Sequence, residues 1–312
     1  MAMLEPMDDR DGWIWLDGKL VAWRDARPHV LSHGLHYGSA VFEGERIYGG
    51  RVFRLAAHSA RLIRSARLLD FELPWSHTEI DAATRAVVRS NGLSDGYVRP
   101  IAWRGAEVLG VSAIGTAAHL AIAAWPWPHY FSDAARRRGI RLAMADFRRP
   151  SADSAPGESK ACGLYAICTL AKDRAIKAGF DDALMLDWQG RVAEATGANV
   201  FLVIDGTLVT PRPDNFLDGI TRRAVMSLAR GRGVTVEERD VWPADLARAS
   251  EVFLTGTAAE ITPVRELAGQ HYQVGPLAPR LIEDFATLAA RTDCEGFGES
   301  THLAEVELGN AA

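Results

Sequence analysis

Two-residue turn signals recur in both halves of this 312-residue chain, each flanked by apolar runs too short for helices. Asp17-Gly18 interrupts "WIWLDGKLVAW", Gly49-Gly50 interrupts "SAVFEGERIYGGRVFRL", and Asp205-Gly206 sits within "NVFLVIDGTLVTP". Such pairs adopt the left-handed backbone values of a tight hairpin, which commits the flanking runs to antiparallel strands. Trp188-Gln189-Gly190 adds a further turn, so residues 181–211 read as a three-stranded meander. Helical spacing fills the intervals. "AAHSARLIRSARLLDF" puts Leu62, Ala66 and Leu69 on one face, "TEIDAATRAVVRSNG" stops at Gly92, "GITRRAVMSLARGRG" starts after Gly219, and "APRLIEDFATLAART" closes the pattern. The expectation is an α+β protein in two domains. Strands "YVRPIAWRG" and "AAHLAIAAWPW" complete a small domain over residues 1–126, because Trp-Pro-Trp-Pro cannot continue a ladder. A linker over 127–138, a large domain over 139–291 and a Gly-rich, acidic tail over 292–312, to which no role is assigned, follow.

The formal net charge of -5 argues against nucleic acid and anionic membrane surfaces, which need a dense Lys/Arg patch. Small-molecule partners fit better. The acidic start "MAMLEPMDDRDGWIWLDG" lacks the basic residues and apolar run of a signal peptide, and no stretch is apolar for long enough to span a bilayer. A cytoplasmic location is expected. Cys162, Cys168 and Cys294 are odd in number and lack metal-ligand spacing, so neither a disulfide framework nor a metal site is expected. Cys162 reads as a small helix residue in a core.

Basic residues are nearly all Arg; the lysines are Lys19, Lys160, Lys172 and Lys177. Only lysine can lose its proton near neutral pH, so this short set holds any primary amine the chemistry needs. Lys160 follows the Ser/Pro/Gly-rich loop "SADSAPGES" and opens a helix whose Leu164, Ile167 and Leu170 are expected to face a core. Most lysines at helix starts are solvated, and Lys160 alone does not separate the two readings. Glu194 in "VAEATGANVFLV" is an acid on an apolar strand: either a bulge or edge position marked by Gly197, or a buried carboxylate paired with a cation. "LDGITRRA" and "TGTAAE" each offer backbone amides and hydroxyls, as caps or as anion sites. Taken together, a lysine, an isolated carboxylate and two amide-rich turns suit a phosphorylated cofactor with a cationic ring, and pyridoxal 5'-phosphate fits.

"HGLHYGSAVFEGERIY", "YVRP", "SKACGLY", "EATGANVF", "DGITRRAV" and "LTGTAAEITPV" occur in the order and spacing of fold-type IV pyridoxal-phosphate enzymes, from about Trp13 to about Arg291. The chain most resembles branched-chain amino-acid aminotransferases. The resemblance implies that Lys160 carries the cofactor aldehyde and then shuttles the substrate proton, and that Glu194 pairs with the ring nitrogen. It implies that Tyr165 donates to the phenolic oxygen, and that Arg61, the amides of Ile220 and Thr221, and Thr257 hold the phosphate, with the cofactor between the domains. Tyr97 and the amides of Thr257 and Ala258 resemble the substrate α-carboxylate site, and Arg99 the cation for the distal carboxylate of glutamate. Phe42, Tyr37, Trp127 and Tyr130 would line the side-chain pocket.

Several residues depart from the family pattern. Glu45 stands where many relatives have an apolar residue and points away from Phe42, Gly44 and Arg46 by strand alternation. Asp218, Leu164 and Arg104 are also uncommon choices. The loop "WRGAEVLGVSAIG" is apolar, and in relatives it reaches the partner subunit, so a homodimer or higher homo-oligomer is expected. The implied reaction is transamination between branched-chain L-amino acids and 2-oxoglutarate, with small-molecule amino donors and 2-oxo acid acceptors. Two alternatives share the fold: an (R)-selective amine or D-amino-acid transaminase, and a lyase such as aminodeoxychorismate lyase. A phosphate-ligand-binding protein without turnover is disfavoured by the intact Lys160 and Glu194.

Overall fold

The computed structural model describes residues 6–127, 131 and 133–291, and the chain divides into two compact units. Tyr130, Cys294 and the tail lie outside the described residues. The first unit takes residues 1–129, 150–170 and 214–217; the second takes the remainder. The expected boundary is therefore crossed twice: the Lys160 segment, placed by sequence in the large domain, groups with the first unit.

The first unit opens with β1 (Trp13–Leu16) and β2 (Lys19–Ala22), then α1 (His33–Tyr37), β3 (Ala40–Phe42), β4 (Glu45–Tyr48) and β5 (Arg51–Val52). Helices α2 (Leu55–Arg67) and α3 (His77–Ser90) follow, and the long strands β6 (Asp95–Arg104) and β7 (Ala118–Trp125) complete a seven-stranded sheet. Asp17-Gly18 and Gly49-Gly50 all have positive φ, as the two-residue hairpins between β1 and β2 and between β4 and β5 require. Strands β3 and β4 both pair with β6, leaving Glu43 and Gly44 between them. One sheet face packs on α2 and α3 through Ile47, Leu62, Val87, Val98 and Ile122. Ser76 and Glu79 form the reciprocal capping box that starts α3, and Gly92 with φ 62° follows its end.

The second unit contains α4 (Asp133–Arg138), β8 (Ile140–Met144), most of α5 (Tyr165–Lys177), β9 (Asp182–Leu186), β10 (Val192–Ala195), β11 (Asn199–Ile204) and β12 (Thr207–Pro211). After these come α6 (Ile220–Gly231), β13 (Val236–Arg239), α7 (Pro243–Leu246), β14 (Glu251–Gly256), β15 (Glu260–Leu267), β16 (Gln270–His271) and α8 (Leu277–Ala290). Strands pair in the order β10-β9-β8-β15-β14-β11, and β11 returns to β10, so the sheet closes on itself around Leu142, Leu184, Val200 and Leu254. The expected three-stranded meander has four strands. Thr196, Gly197 and Ala198 turn the chain between β10 and β11, with the Ala195 N–H donating to Ala198 O, so Gly197 belongs to a turn, while the register of β10 on β9 shifts between Val192 and Glu194, the irregularity the bulge reading expected.

Lys160 does not open the helix directly; a single 3₁₀ turn over Cys162–Leu164 precedes α5. The apolar face of α5 also differs from expectation. Leu170 is 47% exposed, and the buried positions are Cys168, Ala171 and Ala175. Ala171 and Ala175 pack against Ala143 and Ala183, a contact of small side chains that lets helix and strands approach closely. Among the described residues no helix is long and apolar enough to cross a membrane, and no group of His, Cys, Asp and Glu could hold a metal ion.

Glu45 faces the helix side of β4 in line with Ile47, opposite Val98, at 1% exposure. Its Oε2 has no hydrogen-bond partner. Burial raises its pKa well above the ordinary 4.5, and the nearby charges of Glu43 and Asp81 add to this while Arg61 opposes it. Folding thus binds a proton that the unfolded chain has released, and stability is lost as pH rises above 4.5 toward the raised value. Glu45→Gln is expected to melt level with the wild type near pH 4.5 and above it at pH 8, by about 2–4 °C for each kcal/mol relieved. Thermal melts across that range test this; a difference that does not change with pH contradicts it.

Candidate active site

Lys160 is fixed in the first unit by its backbone. Its N–H donates to Ser65 Oγ at 3.0 Å, its carbonyl accepts from the Phe42 N–H at 3.1 Å, and Val41 bridges to Ala161. The ammonium donates to Tyr165 Oη at 2.9 Å and lies 4.8 Å from the Phe42 ring centroid. Phe42 and Tyr165 meet edge to face at 4.7 Å, which holds the phenol beside the amine. Cys162 is not a competing nucleophile: burial pushes its thiol up to about 11, against the opposing charges of Arg99 and Lys160.

Arg61, on α2, is held by Glu43. Its Nε and Nη2 donate to the two carboxylate oxygens at 2.6 and 2.8 Å, and the His58 Nδ1–H donates to Oε2 at 2.7 Å. All three residues are buried. Burial pushes the Glu43 carboxyl up, but the charge and hydrogen bonds of Arg61 and the hydrogen bond of His58 override it and hold it far below the ordinary range. His58 is shifted down, mainly by burial, with Glu43 opposing. At neutral pH the group is therefore a carboxylate, a guanidinium and an uncharged imidazole.

Tyr97 and Arg99 lie two residues apart on β6. Arg99 Nη2 donates to Tyr97 Oη at 3.4 Å, and its guanidinium lies 4.8 Å from the Phe42 centroid and 5.4 Å from that of Tyr97. No carboxylate pairs with Arg99 among the described residues, and its buried Nε has no hydrogen-bond partner. Burial raises the Tyr97 pKa against the opposing Arg99 charge, so its hydroxyl stays protonated. Trp127 packs on the Tyr97 ring at 5.5 Å. Gly44 presses on the Tyr97 phenol so closely that any Cβ there would collide with it. Tyr37 is set apart: it is exposed and its ring packs on His33.

In the second unit Glu194 sits on β10 directly across from Asn199 on β11. Asn199 Nδ2 donates to Glu194 Oε2 at 3.4 Å, and Arg149 Nε lies 3.5 Å from Oε1. The buried-carboxylate reading of Glu194 therefore has its cation. Asn199 also touches Gly219, where a Cβ would collide with its Oδ1. Gly219 is the N-cap of α6 and supplies no side-chain cap, so the first amides, Ile220 and Thr221, are left for another acceptor. Arg222 anchors this turn, donating to Asp218 at 2.9 Å, Thr210 at 3.3 Å, Pro211 O at 3.1 Å and Glu238 at 2.7 Å. Asp218, unusual beside an anion site, is thus matched by a cation. Thr255, opposite Asn199 on β14, buries a hydroxyl without a hydrogen-bond partner, and half-buried Thr257 and Ala258 follow in the turn to β15. Lys172 is engaged elsewhere, donating to Asp182 at 2.7 Å, and Asp182 accepts from Thr196 at 2.6 Å and so holds the turn after Glu194.

These residues fit pyridoxal 5'-phosphate by type: a lysine amine beside a phenol, a buried carboxylate, an uncapped helix start and an orphaned hydroxyl. Glu43, His58, Ser65, Arg149 and Asn199 were not singled out from sequence. The signal for two of them, His58 and Ser65, is that they form with Arg61 a polar stripe at helical spacing on the face of α2 that should be apolar.

The fold is that of an aminotransferase. Residues 40–267 match the family model described as amino-transferase class IV, and the chain belongs to that family. It is 43% identical over 277 residues to the branched-chain-amino-acid aminotransferase of Pseudomonas aeruginosa, covering 88% of this chain and 90% of that one. With the corresponding enzyme of Escherichia coli K12 it shares 38% over 282 residues, 88% and 91% of the two chains. Among solved structures, the T.th. branched-chain amino acid aminotransferase with pyridoxamine 5'-phosphate is 40% identical and superposes with a TM-score of 0.88 over 92% of this chain and 98% of that one.

Proposed function

We propose that the chain transfers the amino group of branched-chain L-amino acids to 2-oxoglutarate, giving branched 2-oxo acids and L-glutamate, with pyridoxal 5'-phosphate as its cofactor. Bound, the cofactor supplies an aldehyde that takes up the amino group and a ring that draws electrons from the substrate α-carbon. Lys160 would hold that aldehyde and would carry a proton at its Nζ, with Tyr165 Oη 2.9 Å away to orient the amine. Glu194, backed by Arg149 and Asn199, keeps the ring nitrogen protonated. Arg61, the Ile220 and Thr221 amides and Thr257 take the phosphate. Support for the substrate class comes from relatives named as branched-chain aminotransferases and from a solved relative complexed with N-(5'-phosphopyridoxyl)-L-glutamate.

The observation that carries this reading is the state of Arg99. One pocket must accept an isobutyl group in one half-reaction and a carboxylate in the other. Arg99, packed on Phe42 and Tyr97 with no carboxylate partner among the described residues, is a cation stabilised by aromatic faces while it waits. Tyr97 and the Thr257 and Ala258 amides are assigned to the α-carboxylate, and Phe42, Trp127 and Tyr130 to the pocket walls, with Tyr37 standing apart from them.

Self-association fits the first unit. Val111 and Ile114 are 86% and 87% exposed beside Val108 and Leu109, in a loop that should bury such residues. The loop is held in place by Arg104, which donates to Ala113 O and Thr116 on it and to Leu69 O and Asp70 O beyond α2. We assign this surface to a second copy of the chain; a monomer in sedimentation at micromolar concentration contradicts that.

Purified protein with the cofactor is expected to be yellow, and borohydride should fix the cofactor to Lys160. Lys160→Ala is expected to lose multiple-turnover glutamate formation from L-leucine and 2-oxoglutarate; full activity would refute the assignment. Conversion of (R)-1-phenylethylamine or D-amino acids without L-leucine would move the chain to the alternative reading. Arg99→Leu is expected to slow the half-reaction with 2-oxoglutarate by about 10- to 150-fold, from the loss of a charge-assisted hydrogen bond worth about 1.5–3 kcal/mol. The half-reaction with 4-methyl-2-oxopentanoate should change far less, and single-turnover rates for the two acceptors decide it.

A further inference from the structure

The buried polar stripe on α2 does more than hold the phosphate cation. Arg61 and Ser65 are four residues apart on that helix, about one turn, or about 6 Å along its axis. Arg61 is locked through two hydrogen bonds to Glu43. Ser65, at 1% exposure, accepts the Lys160 N–H at 3.0 Å through Oγ and the Ser159 hydroxyl at 3.0 Å through its carbonyl. From the strand side, Glu43 holds Arg61 while the adjacent Phe42 N–H holds the Lys160 carbonyl. The arginine and the lysine backbone are therefore fixed by the same two elements, α2 and the end of β3. The aldehyde and the phosphate arm of the cofactor stand on neighbouring ring carbons, so its two anchors need one fixed spacing. A loop as rich in Ser, Pro and Gly as residues 151–159 does not provide one by itself.

We propose that α2 is a gauge: Ser65 is the positioning residue that holds the Lys160 backbone at a set distance from Arg61, so that phosphate binding and covalent attachment are made in register. The inference rests on the cofactor reading above. It separates two ligands that share ring and phosphate, because pyridoxal 5'-phosphate uses Lys160 and pyridoxamine 5'-phosphate, an amine, does not. A role confined to folding would weaken both alike.

The test is titration of the apo forms of wild type, Ser65→Ala, Ser65→Thr and Glu43→Gln with each ligand, followed by cofactor absorbance and tryptophan fluorescence. Ser65→Ala is expected to bind pyridoxal 5'-phosphate about three- to tenfold more weakly and to attach it more slowly, with affinity for pyridoxamine 5'-phosphate unchanged. Ser65→Thr keeps the hydroxyl and should restore attachment, while Glu43→Gln should weaken both ligands together. If Ser65→Ala does not fold, Ser65→Cys, similar in volume but a weak acceptor, carries the same comparison. Equal losses for both ligands, or none for either, overturn the gauge. Failure of the wild type itself to attach the cofactor at Lys160 overturns the cofactor reading, and the gauge with it.

Discussion

A carboxylate with no exposure, Glu43, is the point on which the first unit turns. It lies in the short break between β3 and β4, its N–H still donating to Pro100 O on β6 while its side chain turns inward to α2. Taking a carboxylate out of water is costly unless it is paired and hydrogen-bonded, and here two arginine nitrogens and one imidazole satisfy it. Removing one partner of such a pair costs about 3–5 kcal/mol. The break in the sheet, the orientation of α2 and the direction of the Arg61 guanidinium are consequently one feature, not three. The unpaired Glu45 two residues on shows the opposite case. It shares the buried face of the sheet with Ile47, has no cation of its own, and is driven toward the neutral form.

The second unit solves a different problem, that of pairing a buried carboxylate on a closed sheet. Because β10 pairs with both β9 and β11, Glu194 has no sheet edge from which to reach water. Arg149 supplies the countercharge, and Asn199 supplies a donor on the neighbouring strand. Asn199 can press on Gly219 only because that residue has no side chain, so the carboxylate and the open helix start are placed by one amide. This accounts for the glycine more fully than capping does, since Ser or Asp would cap α6 better yet would displace Asn199.

The elements were legible wherever local chemistry decides them. Asp17-Gly18 and Gly49-Gly50 set hairpins by backbone preference alone, and Ser76 with Glu79 starts α3 without help from the rest of the chain. The resemblance supplied roles for Lys160 and Glu194; the structure puts a phenol beside the lysine amine and a guanidinium beside the carboxylate. Legibility failed where long-range packing decides. The apolar face assigned to α5 was wrong because Leu170 looks like a core residue in sequence, whereas the helix buries Cys168, Ala171 and Ala175 and packs its alanines on Ala143, Ala145, Phe180 and Ala183. The turn at Gly197 was hidden because β10 is buried along its whole length, so period-two alternation is lost. Glu43 escaped notice because a lone acid on a strand reads as solvent-facing until its partners, 15 and 18 residues on, are placed.

The contrast between arginine and lysine then acquires a physical reason beyond composition. Arg104 gathers acceptors from a loop and a helix end, Arg222 joins four acceptors on three segments, and Arg61 grips both oxygens of one carboxylate. Each task uses a planar fork with a charge that cannot be removed, which is what a structural cation should be. Lys172 is the one lysine in a comparable post, and it too is committed to a buried carboxylate, Asp182. Lys160 is placed differently: its backbone is fixed from two sides, while its amine meets a phenol and an aromatic face. For the role we assign it, bonding a carbonyl and carrying a proton in turn, the nitrogen needs a fixed base and a tip that can exchange partners, and arginine offers neither a labile proton nor a nucleophilic lone pair.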